Sequence, residues 1–185
     1  MKRSGLSVAL VTLALTLLCT LGVAHALETI SFHLVPASAA VANCLPDATA
    51  EVTVLHKEDT LGVDTLHLAA SGLSANTDFA VFLTSADAFA TTPFGAVEYI
   101  GDFTTNAAGR GSLKVDAIIA EAFSSTLVGT TRVRADLDHV VFWFADPAQA
   151  RAACGLTTNT PFDGDGQAGP AAMSSQGATG LEQFP

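Results

Sequence analysis

The sequence predicts an all-β protein, a two-sheet antiparallel β-sandwich with one short helix near its C-terminal end. Three observations carry this expectation. Short β-favouring runs recur about 8 to 15 residues apart, as in sandwich domains. Turn-forming clusters of Gly, Asn, Asp and Ser separate them. No long amphipathic helix lies between any two runs, as a βαβ arrangement requires.

Residues 51–56 alternate, with Val52 and Val54 on one face, and residues 64–69 alternate with Leu66 and Leu68 together. Asp59, Thr60, Leu61 and Gly62 supply a turn between them, so the two runs read as a hairpin. Residues 78–84 place Phe79, Val81 and Leu83 against Ala80 and Phe82, apolar on both faces as in a buried strand. Residues 97–104 run into Asn106-Ala107-Ala108-Gly109 and leave through 111–115, and Asn and Gly tolerate the positive φ of a tight reversal, so a second hairpin is expected. Residues 130–135 and 140–144 complete about seven strands. Residues 146–153 read as the helix, with Asp146 as cap, Pro147 in the first turn and Gly155 past the end.

The expected organisation is a signal peptide over residues 1–26, a sandwich over 27–156, and a Gly/Ser/Ala-rich segment over 157–185 lying across it. Lys2 and Arg3 precede an apolar stretch from Leu6 to Val23, and Ala24-His25-Ala26 places small residues where a signal peptidase reads. The stretch approaches the length of a membrane span, but a small-x-small site follows it and no positive cluster does. Lipidation at Cys19 is disfavoured by Leu18, where a small residue is required. The expected product is secreted, with no membrane insertion after cleavage.

Cleavage removes two of eight basic residues and none of eighteen acidic ones, leaving 159 residues and a formal charge of −12. Such a surface repels nucleic acid and anionic membranes, so the expected partner is an extracellular protein or a glycan. It also leaves Cys44 and Cys154, an even pair in an oxidising compartment, and these are expected to form a disulfide.

Candidate chemistry is sparse. His56 and His67 fall on neighbouring strands, but His56 shares parity with Val52 and Val54 while His67 is opposite to Leu66 and Leu68, so their imidazoles face opposite sides of the sheet. Asp136, Asp138 and His139 form a catalytic candidate, since an aspartate beside a histidine can orient it as a general base. Neither a strained nucleophile elbow nor zinc-type cysteine spacing accompanies them. Asp163, Asp165 and Gln167 set oxygen ligands at alternate positions, a pattern suited to calcium, but the twelfth position counted from Asp163 is Ser174 rather than the closing glutamate. No cofactor other than that calcium is implied.

Residues 72–79, Gly-Leu-Ser-Ala-Asn-Thr-Asp-Phe, resemble the strand-to-strand corner of fibronectin type III and related immunoglobulin-like sandwiches, with Phe79 standing where those domains usually carry tyrosine. Together with 101–111 (Gly-Asp-Phe-Thr-Thr-Asn-Ala-Ala-Gly-Arg-Gly), 142–148 (Phe-Trp-Phe-Ala-Asp-Pro-Ala) and 160–164 (Thr-Pro-Phe-Asp-Gly), this corner is similar to a family of uncharacterised exported bacterial β-sandwich proteins. The resemblance implies export and a sandwich. It carries no activity or catalytic residues with it. The chain departs from the pattern at Gly166, where similar proteins tend to carry histidine, which argues against a metal role for that loop. The function expected is a non-catalytic binding, adhesion or cell-envelope module. The alternatives are a secreted hydrolase working from Asp136, Asp138 and His139, or a small metal- or ligand-binding protein.

Overall fold

The computed structural model describes residues 28–56, 63–86, 95–158, 167–176 and 180–181. The expected signal peptide, the turn at 59–62, Asp163, Asp165 and Gly166 lie outside these residues. In chain order the described elements are β1 (Glu28–Pro36), α1 (Ala39–Cys44), β2 (Thr49–His56), β3 (Asp64–Ser71), β4 (Asp78–Thr84), β5 (Val97–Thr104), β6 (Gly111–Ala117), β7 (Phe123–Val128), β8 (Thr131–Asp136), β9 (His139–Phe144), α2 (Pro147–Cys154) and β10 (Ala171–Ser174). Among the described residues the chain is all-β apart from two short helices, and every strand pairing is antiparallel. No described helix is long and apolar enough to cross a membrane.

Eight strands form one sheet in the order β5-β4-β9-β10-β1-β2-β3-β6, and β7 and β8 form a separate two-stranded ribbon. The predicted β2–β3 hairpin is present, with Val52 opposite Leu68 and Val54 opposite Leu66. These side chains are buried and join Ile30, Phe32 and Leu34 of β1. The opposite face of these strands is polar, where Ser31 meets Thr53 and Thr49 meets Ser71 through their hydroxyls.

Strands β4 and β9 are buried on both faces. Phe79, Val81, Leu83, Val140, Phe142 and Phe144 enter the main core, while Ala80, Phe82, Val141 and Trp143 pack with Ala168 in a second cluster behind them. Continuous apolar runs are what doubly covered strands require.

The expected hairpin over 97–115 is corrected. Its turn forms, with Gly109 at φ +68° and the Asn106 side chain accepting from the N–H groups of Ala108 and Arg110. The strands it joins then part, β5 pairing only β4 and β6 pairing only β3 among the described residues. They are the two ends of the sheet, which curls until those ends meet and is nearly a barrel. The approach is close: a Cβ on Gly101 would lie 3.0 Å from the Leu113 side chain, and one on Gly111 would lie 2.5 Å from the Phe103 ring. Turn chemistry is local and does not choose the partners of the strands it connects.

Two further corrections concern short elements. The single helix becomes two, because Ser38 caps a six-residue helix, its side chain accepting from the Val41 N–H. The segment expected to lie across the sandwich also contributes β10, which sits between β9 and β1 inside the sheet. Its pairing with β1 is confined to Val35–Ser174 and Pro36–Met173.

The corner at 72–79 rests against the 105–110 turn. Gly72 adopts φ +69°, and the Leu73 N–H donates to the Gly109 carbonyl. Phe79 has no hydroxyl, and the buried Thr105 ties the corner instead. Its Oγ1 accepts from the Thr77 N–H at 2.9 Å and donates to the Ser74 carbonyl at 2.6 Å.

Candidate functional site

Helix α2 starts as its sequence implies, with the Asp146 side chain accepting from the Ala148 N–H and Gly155 closing the far end at φ +65°. Its Gln149 grips β4 at two points, accepting from the Asp78 N–H and donating to the Asp78 carboxylate. Hydrogen bonds from Thr104 and then Gln149 hold the Asp78 carboxyl below its ordinary value. A carboxyl with a depressed folded pKa stabilises fully above its unfolded value and loses that contribution as pH falls through the folded one. The Tm advantage of wild type over Gln149→Ala is therefore expected to be complete at neutral pH and to shrink below about pH 4. Paired thermal melts across that range check it.

The catalytic candidates Asp136 and His139 are engaged with different partners. Asp136 ends β8 on the surface, where its carboxylate accepts from the Arg134 Nε. His139 begins β9, is 8 % exposed, and places Nδ1 3.3 Å from the Ser175 hydroxyl, which also accepts from the Val140 N–H. Asp138 is half-buried, and its carbonyl accepts from the Leu181 N–H at 2.8 Å. The arrangement points Asp136 to an arginine and His139 to a buried serine. Gln167 is exposed. Among the described residues no group of three His, Cys, Asp or Glu side chains could hold a metal ion. His67 is exposed opposite Thr53 on the polar face, as its parity requires.

One buried polar cluster escaped the sequence reading. Asp64, only 4 % exposed, accepts from the N–H groups of Ile119 (3.0 Å) and Ala120 (2.8 Å) and pairs with the His56 Nδ1 (2.8 Å). Both residues stand where the β2–β3 hairpin opens, one step beyond the Leu55–Thr65 pair, so cross-strand register was the available signal. The carboxylate fastens the connection that leads from β6 to β7. Next to it, Ile119, Ala122 and Leu137 sink into the core, and the Leu137 N–H donates to the Ala122 carbonyl. Asp64→Ala strips three donors of their acceptor. It is expected to cost about 2–3 kcal/mol, more than Asp64→Asn, in urea unfolding.

Beyond this clamp the β7–β8 ribbon stands away from the body. Gly129 at φ +64° occupies the first central position of its two-residue turn, the place glycine takes in hairpins of this twist. Register puts Phe123, Ser125 and Leu127 on one face with Arg132, Arg134 and Asp136. The Arg134 guanidinium lies 4.1 Å from the centre of the Phe123 ring. Val128 and Val133 occupy the other face. Leu127 and Val128 are each 61 % exposed, and Ile118, Phe123 and Val133 are also exposed. An isolated two-stranded ribbon is marginal in water, and exposed apolar side chains concentrated on one are the mark of a binding surface. The candidate functional site is this ribbon.

No protein-family model matches the chain, and no curated protein matches it.

Proposed function

We propose that the chain is an exported, non-catalytic module with an immunoglobulin- or fibronectin-like sandwich as its frame, and that it works by association with an extracellular partner through the β7–β8 ribbon. The carrying observation is the distribution of exposed apolar surface. Of the seven large apolar side chains exposed among the described residues, five lie on the ribbon or at its base. The clamp of Asp64, Ile119, Ala122 and Leu137 holds that base while leaving the ribbon uncovered. A protein partner suits it better than a glycan, because among the described residues each ribbon strand pairs only with the other, which leaves its outer edge for strand addition.

Site-specific photo-cross-linking tests the reading. A photoreactive side chain at Leu127 or Val133, in protein exported by its own cells, is expected to give discrete adducts. The same group at His67, exposed on the polar face of β3, is expected to give none. Equal adducts from all three positions, or none from the ribbon, would contradict it.

A further inference from the structure

The two edges of the ribbon are not alike. Strand β8 carries Arg132, Arg134 and Asp136, and charged side chains are what keeps a sheet edge from taking up further strands. Strand β7 carries neither a charge nor a proline. Short uncharged strands of this kind pair readily with copies of themselves. Register fixes which of its backbone groups are available. Val128 and Thr131 close a two-residue turn, where the closing pair is hydrogen-bonded, and bonded and non-bonded pairs alternate from there along the ribbon. Phe123, Ser125 and Leu127 therefore turn their N–H and C=O groups away from β8.

Resting on the reading of the ribbon as an association surface, we propose that its partner is the ribbon of a second copy, joined β7 to β7 about a two-fold axis through Ser125. Antiparallel pairing matches outward-facing residues with outward-facing residues, and only this centre uses all three. Phe123 then lies opposite Leu127 of the second copy, Ser125 lies opposite its own counterpart, and about six backbone hydrogen bonds form. The charges agree with this centre. On the face that holds these side chains, Phe123 stands beside Asp136 and Leu127 beside Arg132. Each apolar pair across the axis is thus flanked by Asp136 of one copy and Arg132 of the other, and no like charges meet at the joint. The arrangement also carries the exposed tip residues Leu127 and Val128 towards the base of the opposite ribbon, where Ile118 is exposed. An isolated two-stranded ribbon is marginal, whereas the joined ribbons form a four-stranded sheet, the size at which sheets become stable. The contact is isologous, and the charged β8 edges stop growth at the dimer.

Sedimentation equilibrium of the purified exported protein, compared with Ser125→Pro, tests the joint. The concentration series reaches about a millimolar, as so small a contact requires. Proline removes the N–H at the two-fold axis and spares the bonds to β8, because that N–H points outward. Wild type is expected to dimerise, and Ser125→Pro to do so at least about tenfold more weakly, with circular dichroism confirming that the variant folds. Thiol cross-linking under mild oxidation reads the register whether or not that variant folds. Ser125→Cys is expected to form a disulfide-linked dimer with itself, since bonded partners bring their Cα atoms to about 5.5 Å. Phe123→Cys and Leu127→Cys are expected to cross-link to each other when mixed, and neither to itself. A wild type monomeric at every concentration, full association in a folded Ser125→Pro, or cross-links outside these pairings overturns the second copy as the partner. Adducts from Leu127 and Val133 to a protein of another mass in the exporting cells would then keep the ribbon as the association surface, and their absence would overturn that reading as well.

Discussion

Replacing Cys44 and Cys154 together by serine is expected to lower stability by about 4–5 kcal/mol, the chain-entropy value for a loop of roughly 100 residues. The bridge forms as anticipated, with the two Cα atoms 5.4 Å apart and the cysteines separated by 110 positions in sequence. Its position adds a reason for a large effect. Cys44 is the last residue of α1 and Cys154 the last of α2. Helix α1 connects β1 to β2, and α2 follows β9 on the way to β10. The disulfide therefore fastens the two halves of the sheet beside their thinnest seam, the two residue pairs that join β1 to β10. At about 2–4 °C per kcal/mol for a chain of this size, the loss amounts to roughly 8–20 °C in Tm. Calorimetry of the oxidised protein against the double variant measures it. A difference of a degree or two would mean that the seam holds without the bridge.

The second large effect is expected from Phe79→Ala, at about 3–5 kcal/mol. Phe79 is fully buried in the main core. Its ring stacks on Phe103 at 5.2 Å between centroids and meets Phe142 edge-on at 5.3 Å and Phe144 at 5.0 Å. Truncation removes one member from three ring contacts and leaves a cavity among side chains that cannot all close it. Phe79→Tyr separates packing from corner chemistry. Thr105 already ties the corner, so the added hydroxyl gains no such bond and enters an apolar cluster, at a cost of about 1–3 kcal/mol. Urea unfolding of the two variants gives both numbers. A stabilising tyrosine would show that the corner accepts the hydroxyl.

The elements legible in the sequence are those whose local pattern and final environment agree. Val52 and Val54 against Leu66 and Leu68 declare a hairpin with one buried face, and residues 78–84 and 140–144 declare doubly covered strands. Asp146, Pro147 and Gly155 bracket α2. The illegible elements lack such agreement. Strand β10 is four residues of Ala-Ala-Met-Ser with no alternation to read, and its place in the sheet is set wholly by β9 and β1. Helix α1 is too short for a periodic pattern. The 97–115 segment carried a genuine turn, but Gly101 and Gly111 make room for the opposite sheet end rather than for a hairpin partner.

The candidate site was harder still. Residues 130–135 were legible as a strand, yet the pairing of Arg132 with Leu127 and of Val133 with Thr126 depends on β7, whose Ser124 and Ser125 break its apolar pattern. A strand pattern ordinarily implies that one face is covered. Here both Leu127 and Val133, on opposite faces, stay exposed, and only the three-dimensional structure shows that the body does not reach them.

Hydrogen–deuterium exchange on the β7–β8 ribbon tests the account most directly, because it reads the backbone that the partner would cover. In dilute protein the amides of residues 123–136 are expected to exchange rapidly while those of β4 and β9 stay protected. Ribbon amides as protected in dilute protein as those of β4 and β9 would contradict it.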